Sequence, residues 1–377
     1  MNHFGWTAAE VALTSSLQSL VYVAAVLPVS WIYQRLNGRA VVLLGGILMG
    51  SGLVLSSQAA TLSQLYFSYG IVAGIGSSTI WVPFTSTLVQ WFKKRRGVVM
   101  AIALSGHGVG NLITAPLLTY IILVADWRAA FLSAGAIIFL VVTLAALAMK
   151  DTPGSMGLKP YGETPQKERH VRSEDEKLSS LVQRFSVREI LGRREFWLIY
   201  ILWIVSTIVH TIYTQHLVLF AIGVGITAVI ASLALGTIGL SSIIGRLTMG
   251  LLLDRIGITR ALVICYTINV GSALLLMITK SELSLFLFAF TFGFSFGGRT
   301  TLEVPLASSF VGLANLGIMS GMFETAFGVG GFIGPYLGGR IYDMMGQYYE
   351  VFLICTLLSV LSLAITLILR PEKKDIT

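Results

Sequence analysis

Charge is what this chain has least of: Asp, Glu, Lys and Arg make up only 12% of its 377 residues. A soluble domain carries about a quarter. Here hydrophobic residues fill the gap at 55%, with a mean hydropathy of +0.81, so a soluble globular class is excluded and a polytopic membrane protein is implied. Cysteine is scarcer still. The two present, Cys265 and Cys355, both sit inside apolar runs, which argues against a disulfide framework and for buried thiols. Met1–Glu10 has no basic n-region and the apolar stretch after it is too long, so no cleavable signal peptide is expected. Also lacking are a phosphate-cradling loop, a nucleophile–base pair and a metal-ligating constellation. Neither an enzyme nor an ATP-driven pump is expected, and no cofactor or metal is implied.

What is present is length of apolar run. Stretches of about 20 residues, enough to span a bilayer, fall near 8–33, 40–58, 64–91, 97–123, 128–149, 196–220, 226–251, 260–280, 283–309, 316–340 and 349–369. These eleven divide five and six around a polar segment, giving an N-terminal lobe at 1–149, a cytoplasmic linker at 150–195 and a C-terminal lobe at 196–377. With that linker in the cytoplasm, 21 of the 26 Lys and Arg residues share its side, three (Arg128, Lys280, Arg340) lie outside, and two (Arg246, Arg299) lie within helices. This asymmetry fixes the orientation. It also accounts for a pI near 9.5 without a nucleic-acid partner. In the linker, Leu178, Leu181, Val182, Phe185, Ile190 and Leu191 interleave with Arg184, Arg188, Arg193 and Arg194, the pattern of an amphipathic helix at a membrane surface.

The chain also repeats itself at an offset of 220 residues (254 − 34, 317 − 97, 328 − 108). Asp254-Arg255 falls on Gln34-Arg35, Gly317 on Gly97, and Gly328-Val-Gly-Gly-Phe-Ile-Gly334 on Gly108-Val-Gly-Asn-Leu-Ile-Thr114. A period this long fits two halves of a membrane bundle rather than a solenoid. The same offset carries Phe196–Phe220 to positions before Met1. The first lobe is therefore expected to lack its first helix and to show a groove in its place. Glycine, 39 residues in all, clusters inside the runs at Gly106/Gly108/Gly110, Gly293/Gly297/Gly298 and Gly328–Gly339. Small residues let helices approach closely, whether they pack statically or slide.

Four segments carry a resemblance: Phe4-Gly-Trp-Thr-Ala-Ala-Glu10; Trp91-Phe-Lys-Lys-Arg-Arg-Gly97 with Met100-Ala101 and Ser105-Gly106; Lys150–Pro160; and Gly250–Arg260. Together they resemble the major facilitator superfamily, and within it the monocarboxylate-transporter-like branch with its oxalate/formate-antiporter relatives. The resemblance implies an all-α membrane fold of two pseudo-symmetric helical lobes, with helices 2–6 of that fold in the first lobe and 7–12 in the second. It further implies a secondary transporter for small organic anions, with monocarboxylates moved together with protons by alternating access, in a plasma or inner membrane. Carboxylate exchange of the oxalate–formate type is the alternative mechanism. A truncated, non-transporting membrane protein, or a membrane binding or regulatory subunit, is the alternative class. Two departures stand out: Gln34 replaces the family's Asp and Asn37 its Gly in the first-half loop motif, and the counterpart of the family's first helix is expected to be absent. The former bears on the conformational latch to which the resemblance assigns Arg35, Asp254 and Arg255.

An ionisable group at helix depth costs several kcal/mol on insertion scales, so each one needs a reason. The N-terminal runs hold one titratable intruder, His107, read either as a packed polar histidine or as a proton relay. The C-terminal runs hold Arg246, Arg299, Glu303 and Glu324, with His210 and His216. Arg246-Leu-Thr-Met-Gly250 resembles the eighth helix of monocarboxylate transporters, whose arginine is implicated in holding the substrate carboxylate; an acid one turn earlier in animal members is Ser242 here. Physically, a guanidinium stays charged in low dielectric and grips a carboxylate with two parallel hydrogen bonds. The alternative is snorkelling to the headgroups or a structural pair with Glu324. Arg299 and Glu303, four apart, share a helix face. They are either a self-neutralising pair or, with Glu324, part of an anion and proton site to which Arg246 and Arg299 contribute the binding charge. His210, Tyr213 and His216 recur at three-residue spacing without a carboxylate or thiol nearby, so no metal motif follows. Trp81, Asn111, Phe292 and Tyr336 are candidates to line a cavity or simply to pack.

Overall fold

Inside a bilayer every backbone polar group must be satisfied within its own segment or a closed barrel, and this chain answers with helices. The computed structural model describes residues 5–94, 96–162, 187–311 and 316–369. Among these, the helices are α1 (Ala8–Arg35), α2 (Gly38–Ser57), α3 (Leu62–Trp91), α4 (Arg96–Val124) and α5 (Trp127–Ala148). A short α6 (Val187–Leu191) follows, then α7 (Arg194–Gly223), α8 (Ala228–Ile256), α9 (Ile258–Met277), α10 (Glu282–Val311), α11 (Leu316–Met345) and α12 (Tyr349–Ile368). Apart from α6, each coincides with one of the eleven apolar runs. Nine of them, among the described residues, are long and apolar enough to cross a membrane. The fold is all-α, as the sequence implies.

Local chemistry sets the helix ends. Thr7 and Glu10 close a capping box at the start of α1, and the side chains of Asp126 and Thr227 cap α5 and α8. Gly257 turns α8 into α9 at φ +77°, a conformation that side chains resist. Asn37, its counterpart in the repeat, sits at φ −67° in extended backbone. The departure from glycine there thus reflects a different turn, made without left-handed backbone. One feature is invisible to hydropathy: α3 is π-helical from Tyr66 to Ala73. Gly52 of α2 lies so close to that section that a β-carbon would come within 2.7 Å of the Ala73 nitrogen, and the widened turn lets the two backbones meet. Of the amphipathic linker, Leu178, Leu181, Val182, Phe185 and Arg184 lie outside the described residues. Ile190 of α6 is fully buried.

The chain divides into two compact units. The first comprises Met1–Gly106, Pro116–Pro165 and Gly331–Asp343, and the second His107–Ala115, Gln166–Gly330 and Met344–Thr377. Relative to a split at the linker, the middle of α4 goes with the second unit and the outer part of α11 with the first. Both reassignments have a packing cause. In the first unit, the Asp343 carboxylate accepts the Ala8 and Ala9 N–H groups at 2.8 Å each, capping α1. A β-carbon on Gly339 would lie 2.8 Å from the Ala8 backbone. In the second, a β-carbon on Gly108 would lie 2.6 Å from the Gly239 carbonyl, so α4 rests on α8 backbone to backbone.

The second unit's tightest seam is α8 against α10. A β-carbon on Gly293 or Gly297 would overlap the carbonyl oxygens of Ile238 or Ser242. Overpacking a close seam costs about 1–3 kcal/mol, and here the obstacle is backbone, which cannot rotate away. Gly297→Ala is accordingly expected to lower the thermal midpoint of the purified protein in detergent. Gly271→Ala, at a helix glycine facing open space, is expected to leave it unchanged or slightly raised.

Candidate functional site

The glycine seam brings the charged residues of α8 and α10 onto neighbouring turns. Arg299 of α10 is only 3% exposed. Its guanidinium donates to the Ser206 carbonyl of α7 at 3.4 Å, stands 5.1 Å from the centre of the Phe296 ring, and reaches Glu303 at 3.9 Å. Its Nε has no hydrogen-bond partner among the described residues. This is a loose contact, well short of the two parallel bonds an arginine makes when fully engaged by a carboxylate. Glu303 is more open, with 27% of its side chain exposed. It also feels the charges of Glu324 and Arg246, and the Trp203 side chain hydrogen-bonds to it.

Arg246 is half-buried on α8 and acts electrostatically on Glu303 and on His107. Glu324, half-buried on α11, completes the group. Two arginines, two glutamates and His107 therefore form one electrostatically connected cluster within the second unit. Its formal charge is near zero, and its members come from four helices.

Beside the cluster is a cavity of about 290 Å³, lined in part by His107, Asn111, His210, Thr214, Ser242 and Phe296. His107 reaches it because α4 sits directly on α8. His210, to which the sequence assigned no role, also lines the cavity. Its ring lies flat on Phe296, 4.0 Å between centres at 4°, and its Nδ1 is buried with no hydrogen-bond partner among the described residues. The signal was present, a histidine in mid-run, but spacing alone did not separate it from its neighbours. Tyr213 instead packs edge-on, buried, against Phe288 and Phe292, and the His216 Nδ1 pairs with the Tyr348 hydroxyl at 3.2 Å. Of the four candidate lining residues, Asn111 lines this cavity, Phe292 is fully buried, and Trp81 and Tyr336 are exposed residues of the first unit.

The remaining sequence-predicted residues lie at helix ends. Arg35, in the last turn of α1, is exposed with its guanidinium 3.7 Å over the Trp31 ring. Arg255 is exposed in the last turn of α8. Asp254 belongs to α8, with its side chain outside the described residues.

Comparison with known proteins is consistent across the chain. The family model described as Major Facilitator Superfamily matches twice, over residues 1–302 and 224–376. Monocarboxylate transporter 12 of Homo sapiens is 27% identical over 346 residues, covering 86% of this chain and 66% of that protein. The uncharacterized MFS-type transporter YhjX of Escherichia coli (strain K12) is 26% identical over 332 residues, covering 85% of this chain and 76% of its own. Monocarboxylate transporter 13 of Rattus norvegicus is 27% identical over 327 residues, at 85% and 70% coverage.

Proposed function

The chain belongs to the Major Facilitator Superfamily and is a multi-pass membrane transporter, and from that premise we propose that it carries small organic anions, monocarboxylates first among them, coupled to protons. The observation that carries this reading is the cluster itself: two arginines on apolar helices, grouped with two glutamates, one of which meets Arg299 only at 3.9 Å. Isolated charges are too costly there to persist without a use or a partner. The names of the relatives, monocarboxylate transporters 12 and 13, support the same substrate class.

In this reading Arg246 grips the substrate carboxylate and Arg299 supplies the second cationic centre. An arriving anion competes with Glu303 and Glu324 for the guanidinium groups. The carboxylate left without a cation in a low-dielectric site takes up a proton, so substrate and proton travel together. The bodies that rock are the two halves related by the 220-residue repeat, 1–149 and 196–370. Arg35, Asp254 and Arg255 act as latches at their cytoplasmic ends, and His107 is an auxiliary proton site. The protein works in the plasma or inner membrane.

Reconstitution into proteoliposomes tests this. Labelled two- to five-carbon monocarboxylates are expected to accumulate when the inside is alkaline, and accumulation should collapse with a protonophore. Exchange of internal for external anion without any response to the pH gradient would make the protein an antiporter. Uptake of none of these anions by folded protein would overturn the reading.

A further inference from the structure

The cavity beside the cluster differs from it in kind. Among its eleven lining residues are His107, Asn111, His210, Thr214, Gln215 and Ser242, and none is Lys, Arg, Asp or Glu. It is polar yet holds no fixed charge. Ser242 stands four residues before Arg246 on α8, about 6 Å along the axis, so one lining residue lies a single turn from Arg246.

The hydrogen-bonding state of the lining is informative. The Thr214 hydroxyl donates to the His210 carbonyl at 3.0 Å and the Ser242 hydroxyl to the Gly239 carbonyl at 2.7 Å. Both hydroxyl oxygens are left as acceptors. Asn111 is exposed into the cavity, and its amide makes no hydrogen bond with the described residues. The flat stacking of His210 on Phe296 fixes the plane of its ring, and its Nδ1 is buried without a partner. Fixed donors and acceptors therefore line a space of about 290 Å³, room for about ten waters at about 30 Å³ each. A two- or three-carbon acid held by its carboxylate at Arg246 would leave most of that space empty.

We propose that this cavity receives the end of the substrate remote from its carboxylate, and that this end is an uncharged hydrogen-bonding group such as an amide or hydroxyl. The proposal rests on the reading that Arg246 holds a carboxylate. An alkyl tail would strip water from the Asn111 amide and return no hydrogen bond. A second carboxylate would meet no lysine or arginine in the lining, and an ammonium would meet no acid.

Four five-carbon acids of matched length decide it: pentanoate, 5-hydroxypentanoate, glutaramate and glutarate. Equilibrium binding to the purified full chain is expected to favour 5-hydroxypentanoate and glutaramate over pentanoate and glutarate by about 10- to 100-fold. Asn111→Leu and His210→Phe should each narrow the glutaramate-to-pentanoate ratio. Because that ratio is taken within one protein, it is insensitive to the fraction folded. Pentanoate or glutarate binding as tightly as glutaramate, or a ratio unmoved by both variants, would overturn the proposal while leaving the carboxylate reading intact. No binding of any of the four by folded protein would remove the carboxylate reading and this proposal with it.

Discussion

Arg246→Ala is expected to abolish saturable carboxylate uptake, weakening substrate affinity by about 100-fold, in a protein that still folds. The magnitude follows from losing one partner of a desolvated, hydrogen-bonded charge pair, about 2–5 kcal/mol, where each 1.4 kcal/mol is tenfold in affinity. Folding should survive because Arg246 is half-buried, unlike Arg299 at 3% exposure. The discriminating variant is Arg246→Lys. Lysine keeps the charge but not the planar fork, so if the role is bidentate capture, affinity should stay at least about tenfold weakened. If Arg246 only neutralises Glu303 and Glu324, lysine should restore wild-type kinetics. Direct binding of labelled substrate to detergent-purified variants, with thermal midpoints measured alongside, distinguishes the two roles.

The sequence exposed most of the fold because the bilayer imposes a one-dimensional rule. Each spanning helix needs about 20 apolar residues, and the eleven runs coincide with the eleven long helices. Charge in such runs is equally conspicuous, which is why Arg246, Arg299, Glu303 and Glu324 stood out before any contact was known. What stayed hidden depends on who faces whom. Gly108 on Gly239 places His107 beside α8, and the 220-residue repeat gives no hint of it. His210 lies among aliphatic residues and threonines in the sequence, and only the tertiary fold shows that it stacks on Phe296 at the cavity. The π-helical section of α3 and the cap that Asp343 provides to α1, 335 residues away, are likewise tertiary facts without a local signature.

Glu303→Gln and Glu324→Gln are expected to fail in different ways. Arg299 has the Ser206 carbonyl and Glu303 as its polar partners among the described residues. Neutralising Glu303 therefore leaves a buried guanidinium with neutral acceptors only, and a broken buried pair costs up to about 3–5 kcal/mol. The 3.9 Å separation and the 27% exposure of Glu303 argue for the lower part of that range or below it, about 2 kcal/mol. Glu303→Gln should thus lower the thermal midpoint and depress gradient-driven uptake and equal-concentration exchange together. Glu324 sits on α11, outside the Arg299 contact set but within electrostatic range of Glu303, so its charge can change without uncovering that arginine. Glu324→Gln should lose accumulation driven by an alkaline interior while retaining exchange of labelled substrate at equal concentrations, which moves no net proton. Running both assays on both variants separates a structural carboxylate from a coupling one. If Glu324→Gln still concentrates substrate against its gradient, the coupling proton is not on Glu324. The burden then moves to His107, whose ring borders the cavity and lies under the influence of Arg246.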